Sequence, residues 1–302
     1  MSQLSNKSRA IVKILLIGKT GQLGGDILRN SAGYEIYAPD RTQLDICDRD
    51  AINAVFDDIR PDAVINTAAF HNVPLCETDP LSAFKVNCVA VQELAKACSR
   101  IKALFVTFSS DYVFDGEKKA LYQEDDKPNP LQVYGITRVA GEYAALSVAQ
   151  DHAIVIRTCG LYGVSGAQTK GGNFVDKRVQ DAKTHAVVEM GNDQVVSPTY
   201  THDLSKAVLQ LIEHPQMLPG IYHIVNEGRC SWYELTKAIY QIMGLAVEVR
   251  PLDRGGKSGD MRRPLYSALA NTKARALGII LPPWRNALER YLKEKYGSVE
   301  KP

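Results

Sequence analysis

Gly18, Gly21 and Gly24 follow an apolar run at residues 11–17 and open a helical pattern that reaches Leu28. A pyrophosphate needs backbone N–H groups aimed at it and no Cβ in its way, and glycines in a strand-to-helix turn supply both. The spacing is G-x-x-G-x-x-G, and its flanking strand and helix point to a dinucleotide site. Asp40 comes about twenty residues later, where a carboxylate can bond the adenosine ribose hydroxyls. Arg41 stands where a guanidinium meets a 2′-phosphate, so NADH and NADPH both stay open as cofactors. Asp45 and Ile46 fall beside the adenine. Further on, Ser109 and Ser110 end another apolar run, and Tyr134 and Arg138 are spaced to share one helix face. A serine, a tyrosine and a cation at one sheet edge are the parts of a carbonyl reduction. A nicotinamide gives hydride to the carbon, the tyrosine gives a proton to the oxygen, and the serine hydroxyl holds that oxygen.

These residues meet only if strands and helices alternate, and the pattern does alternate. Residues 11–17, 34–38, 62–69, 103–109 and 152–158 read as strands. Residues 51–59 and 131–148 read as helices, with a long helix opened by Asp79-Pro80 between them. Such βαβ units build an α/β fold with a doubly wound parallel sheet and ligands at the carboxyl ends of its strands. The pattern changes near Gly163. A polar loop at 165–172 precedes helices at 173–183 and 201–213. A capping box at Ser231–Glu234 starts a helix that ends at Gly244, a basic loop spans 254–259, and a helix at 284–295 closes the chain. The division read from this is a Rossmann domain at 11–163, to which the chain returns at about 195–213, and a smaller C-terminal substrate lobe from 164–194 and 214–302.

Bulk properties exclude several classes. The 302 residues carry a net charge of +2, which calls for neither nucleic acid nor an acidic membrane as partner. No apolar run is long enough to span a bilayer. The first ten residues are polar and do not resemble a signal peptide. The six cysteines form no C-x-x-C pair, so the expectation is a reduced cytoplasmic protein without a cysteine-bound metal. Trp232 and Trp284 open helices and are expected to pack the smaller lobe. Glu124, Asp125 and Asp126 read as a solvated loop, and His202 as a surface or capping residue. His71 is balanced between the pocket and loop packing.

Several segments together resemble the dTDP-4-dehydrorhamnose reductase family, in the extended branch of the short-chain dehydrogenase/reductases. They are residues 18–24 (GKTGQLG), 109–116 (SSDYVFDG), 134–138 (YGITR) with Gly141-Glu142, 172–174 (GNF), 197–199 (SPT) and 263–267 (RPLYS). The resemblance runs in order from about residue 12 to 292. It implies NAD(P)H-dependent reduction of a nucleotide-linked 4-keto-6-deoxysugar, most simply dTDP-4-dehydro-L-rhamnose. It places Ser110, Tyr134 and Arg138 in catalysis. Gly18, Gly21, Gln22, Leu23, Gly24, Ala68 and Ala69 take cofactor places, and Asn173, Phe174 and Arg263 take substrate places.

Three positions depart from the family pattern. Arg138 stands where the family has lysine, Gly160 where it usually has tryptophan, and residues 71–75 (HNVPL) replace its usual Thr-x-Val-Asp-Lys. Arginine keeps the charge but stays protonated and relays no proton. Two other readings therefore stand beside the reductase. One is a nucleotide-sugar epimerase. The other is a non-catalytic dinucleotide-binding regulatory subunit similar to the β subunit of methionine adenosyltransferase. Asp111-Tyr112, where related dehydratases have Asp-Glu, argues against dehydration. A homodimer and a Mg²⁺ requirement stay open.

Overall fold

The computed structural model describes residues 12–165, 172–253, 255–258 and 261–297. Ile11, most of the expected loop at 165–172, and Arg254 and Gly259 of the basic loop lie outside the described residues. The first part of the chain runs β1 (Lys13–Ile17), α1 (Gln22–Asn30), β2 (Glu35–Tyr37), α2 (Arg49–Ile59), β3 (Ala63–Asn66), α3 (Val73–Thr78), α4 (Pro80–Phe84), a π-helical turn (Lys85–Val89), α5 (Ala90–Ile101), β4 (Leu104–Ser110), α6 (Val133–Val148) and β5 (Ala153–Thr158). The second part runs β6 (Leu161–Tyr162), α7 (Phe174–Asp181), β7 (Val187–Gly191), β8 (Val195–Val196), β9 (Thr199–Tyr200), α8 (Thr201–Glu213), β10 (Gly220–His223), β11 (Cys230–Ser231), α9 (Trp232–Ile242), β12 (Glu248–Leu252), β13 (Lys257–Ser258), β14 (Met261–Arg262), α10 (Thr272–Ala276) and α11 (Trp284–Tyr296).

Six strands pair in parallel in the order β10-β5-β4-β3-β1-β2. This is the expected doubly wound sheet, and its order reverses between β1 and β3, where a crevice opens. Strand pleat sends alternate residues to opposite faces. Ile14 and Leu16 pack with Leu23 and Ile27 of α1 and with Leu204, Val208 and Leu211 of α8. Leu15 and Ile17 pack on the other face with Phe56 of α2, Leu94 of α5 and Ala145 of α6. Fully burying each such Leu or Ile stabilises the fold by about 1.5–3 kcal/mol.

The smaller lobe has its own core. Val175 and Val179 of α7, Leu235 and Ile239 of α9, and Leu288 and Leu292 of α11 close it, with Trp232 and Trp284 packed alongside. Among the described residues its longest strand pairing is β7 with β12. The Ser231 capping box is present, and Asn173 with Asp176 makes a second one on α7.

The structure corrects the lobe boundary. β10 is the sixth strand of the main sheet, and Tyr222, Ile224, Ala274, Ile279 and Leu281 belong to the α1–α8 core. These residues lie in 214–302, which the sequence reading assigns to the smaller lobe. Four residues, Gly-Ile-Tyr-His, are too few to show a period. The long helix from Asp79 is also interrupted, because residues 85–89 take a π turn. Glu124 is another correction. It is buried, and its Oε1 accepts from the backbone N–H groups of Lys273 and His223 at 2.9 and 3.3 Å, which caps α10.

One ion pair is sealed beneath α6. Arg157 on β5 forks onto Glu142 through Nε and Nη2 at 2.8 and 2.7 Å, and both residues are buried. Its guanidinium also lies over the ring of Phe114 at 5.1 Å. His223 sits nearby, and burial and the charge of Arg157 hold its imidazole down to about 3, so it stays neutral. Removing one partner of a buried pair strands the other charge. We therefore expect Glu142→Gln to lower stability by about 3–5 kcal/mol, and Arg157→Met added to it to restore part of the loss. Urea melts of the single and double variants check this; losses that simply add would show that the pair does not act as a unit.

Candidate active site

The glycine turn leaves β1 at Gly18, whose φ of +90° favours glycine. A Cβ at Gly24 would lie 2.2 Å from the Gly18 carbonyl oxygen, so α1 can close onto the turn only without one. Gly21 is different. It is the N-cap of α1, and among the described residues a Cβ there would meet only the Gly18 oxygen, at 3.3 Å. Among the described residues, no side chain caps α1. Its first-turn N–H groups and the helix dipole are therefore available to an anion. These features fit a dinucleotide pyrophosphate, with Gly18, Gly21 and Gly24 as its cradle.

The other expected cofactor residues divide. Ala68 lies against the turn, its backbone nitrogen 3.0 Å from the Cβ position of Gly18, and Ala69 follows it, half-buried. Asp40 ends up beyond β2, where its Oδ1 accepts from Thr42 Oγ1, Thr42 N and Gln43 N at 2.6, 2.9 and 3.1 Å. Those bonds hold its carboxyl below the usual range. Arg41 is 87% exposed and reaches Asp45 at 3.9 Å, which leaves it free to turn to a ligand phosphate. Lys19 of the turn joins this corner, its Nζ donating to Ala38 O at 2.8 Å. Ile46 and Leu23 are core residues on opposite faces of the sheet. Gln22 turns to the other lobe, where its Oε1 accepts from Gly163 N at 2.8 Å and Asn173 Nδ2 at 3.2 Å.

Two strands away from β1, Ser110 closes β4. Its Oγ donates to Asp111 Oδ1 at 2.9 Å and accepts from Tyr112 N at 3.2 Å. Arg138 pins α6 to this strand, since Nη2 donates to Phe108 O at 2.6 Å. Its Nη1 reaches Asn87 Oδ1 at 3.4 Å, and its guanidinium lies 5.7 Å from the Tyr134 ring centre. Tyr134 in turn meets Tyr112 edge to face at 6.0 Å. Two glycines permit this. A Cβ at Gly135 would lie 2.2 Å from Tyr112 O, and one at Gly141 would lie 2.1 Å from Asn87 O.

Asn87 escapes the sequence reading. It sits in the π turn, buried, and its amide bridges the Phe70 backbone at 2.9 Å in both directions and Thr137 Oγ1 at 3.0 Å. Glu77 of α3 is a second omission, since its Oε1 accepts from Val133 N at 2.8 Å and caps α6. Neither shows a local sequence signal, because each acts on a distant element.

The positions expected to meet substrate are spread over several elements. Phe174 tilts onto Trp232 with ring centres 4.5 Å apart. A Cβ at Gly160 would lie 3.6 Å from Trp232 Cη2, so Trp232 borders the side-chain-free position 160. Arg263 is near Tyr112, where its charge opposes the burial that pushes the Tyr112 phenol up. Its Nε is buried without a partner among the described residues. Asn173 is otherwise engaged. Its amide donates to Gln22, to Gly163 O at 3.2 Å and to Tyr291 OH at 2.8 Å, and its Oδ1 caps α7. The Asn-x-x-Asp spacing of that cap is visible in the sequence and is the signal for this structural role. Among the described residues, no helix is long and apolar enough to cross a membrane, and no cluster of His, Cys, Asp and Glu could hold a metal ion.

A glycine turn at the sheet's crevice, with serine, tyrosine and a cation at the end of β4, two strands away, defines an oxidoreductase on a Rossmann fold. The chain belongs to the RmlD substrate binding domain family, whose model matches residues 12–296. It is 37% identical to the spore coat polysaccharide biosynthesis protein SpsK of Bacillus subtilis over 96% of this chain and 100% of that protein. The dTDP-4-dehydrorhamnose reductase structure from Clostridium acetobutylicum superposes with a TM-score of 0.87 at 34% identity, covering 93% of this chain and 99% of that one. The Bacillus anthracis dTDP-4-dehydrorhamnose reductase, solved in complex with NADP, gives 0.87 at 31% identity, covering 94% and 99%.

The position of Gly21 generates a test. Gly21→Val should fold, with stability lowered by about 1 kcal/mol because valine is a poor N-cap and its Cβ meets Gly18 O, and should weaken NADPH binding by about tenfold or more by filling the phosphate space. Fluorescence titration of NADPH checks this; unchanged affinity in the folded variant would remove the turn from the cofactor site.

Proposed function

We propose that the protein reduces the 4-keto group of a dTDP-linked 6-deoxysugar with NADPH or NADH, with dTDP-4-dehydro-L-rhamnose as substrate and dTDP-L-rhamnose as product. The observation that carries this reading is the Arg138 bond to Phe108 O, which draws Tyr134 to the strand end that bears Ser110. The relatives' names favour an enzyme over a non-catalytic subunit, and two of them are reductases of this sugar class.

When bound, the dinucleotide supplies hydride to the ketone carbon. Tyr134 gives its phenolic proton to the ketone oxygen. Arg138 holds the tyrosine ring by its charge and ties α6 to β4. Ser110 bonds the oxygen as it becomes an alkoxide. Arg263 and Phe174 with Trp232 line the side toward the nucleotide sugar. Arg41 and Lys19 form the basic corner beside Asp40, which suits the 2′-phosphate of NADPH.

Two measurements test this. Tyr134→Phe should bind NADPH normally and lose about 10²-fold or more in kcat with dTDP-4-dehydro-L-rhamnose, followed by nicotinamide absorbance. A parent enzyme that turns over while Tyr134→Phe matches it would overturn the assignment. Arg41→Ala should weaken NADPH about tenfold and leave NADH unchanged, the worth of one charge-assisted hydrogen bond. Equal effects on both cofactors would show that Arg41 meets no phosphate.

A further inference from the structure

Asp111 follows Ser110 at the end of β4 and is 3% exposed. None of the ion pairs among the described residues involves it. Its partners are three neutral donors from three parts of the chain. Ser110 Oγ donates to Oδ1 at 2.9 Å, while Cys159 Sγ and Ser267 Oγ donate to Oδ2 at 3.0 and 2.5 Å. Burial without a cation pushes its carboxyl above the usual range, and the three donors pull the other way.

The hydrogen-bond inventory of Ser110 then matters. A hydroxyl has one proton and two lone pairs. The proton goes to Asp111, and one lone pair takes the Tyr112 N–H. One lone pair is left. The resting serine therefore offers a substrate an acceptor, whereas a ketone oxygen gaining charge needs a donor.

We propose that Asp111 is the positioning residue for Ser110: its carboxylate holds the serine proton away from the ground-state ketone and releases it to the substrate oxygen only as negative charge builds there. The proton changes hydrogen-bond acceptor and stays on Ser110; the proton that ends on the product comes from Tyr134. An alkoxide is a far stronger acceptor than a carboxylate, so the exchange occurs near the transition state. The interaction therefore raises kcat without tightening ground-state binding. Ser267 and Cys159 have a part in this. By loading Oδ2 they disperse the carboxylate charge and loosen its hold on the Ser110 proton.

The inference rests on Ser110 acting on the ketone as proposed above, and the test separates the two. In Asp111→Asn the two donors at the Oδ2 side keep the amide carbonyl there, so the NH₂ faces Ser110 Oγ. Both serine lone pairs are then filled, and its proton points permanently into the site. With dTDP-4-dehydro-L-rhamnose and NADPH, KM and kcat should fall together by about fivefold, the worth of one hydrogen bond now made in the ground state as well. In a Ser110→Ala background the same substitution should change neither. Ser267→Ala should act differently, lowering kcat about threefold at unchanged KM, because the carboxylate grips the serine proton harder. That effect should also vanish without Ser110. A fall in kcat at unchanged or raised KM in Asp111→Asn, or equal effects in the Ser110→Ala background, overturns the positioning role while leaving Ser110 in place. Full activity of Ser110→Ala overturns the Ser110 reading and this one with it. If Asp111→Asn does not fold, Ser267→Ala decides, and an unchanged kcat there overturns the proposal.

Discussion

Two backbone carbonyls, those of Tyr112 and Asn87, press into α6 at places where only glycine leaves room. The geometry of the site depends on that contact. With Gly135 and Gly141 in place, α6 lies close enough for Arg138 to bond Phe108 O, and Tyr134 comes with it. A side chain at either glycine would lift the helix by the best part of a bond length or more, and the arginine would lose its anchor on β4. The helix is also fixed from its end, by Glu77 at Val133 N, and from its flank, by Asn87 at Thr137. The face of α6 that carries Tyr134 and Arg138 is thus set by contacts along the helix and at its start.

Arg138 changes meaning in this frame. At the position where the resembled family carries lysine, the planar fork of arginine spans Phe108 O and the Asn87 amide at once. A lysine ammonium is a single point with rotatable donors and would hold such a pair less rigidly. Arginine at this position is the firmer strut. Asn87 can receive the second arm of the fork because the π turn carries it toward α6, in keeping with the frequent placement of π turns at functional sites.

The parts legible in the sequence were those with local causes. Helix 201–213 matches α8, the Ser231 capping box is present, and the strand runs fall within a residue or a few of their expected ends. Caps, prolines and apolar periods act over one turn or one strand, so one stretch of chain reveals them. The parts that were not legible depend on partners far away. Glu124 looks like one of three solvated acids until β10 and α10 bring their N–H groups to it. Asp111 meets Cys159 and Ser267 only after β5 and the segment beyond β14 are in place. β10 itself is four residues long and is a strand only because β5 lies beside it. At the site, the glycine turn is readable from spacing and context, whereas Gln22 and Asn173 take family positions and spend their side chains on each other.

That last pairing bears on how such proteins could be recombined. Gln22 belongs to the dinucleotide turn and Asn173 to the smaller lobe, and the amide between them also reaches Gly163 and Tyr291. The chain crosses between lobes repeatedly, and the last helix closes on Asp26 and Asp176 from both sides through Arg29 to Glu294 and Lys295 to Asp176. No single cut separates a cofactor module from a sugar module. A chimera that exchanged one lobe with a relative would inherit half of each of these bonds, so the lobes have to change together, as one inherited unit.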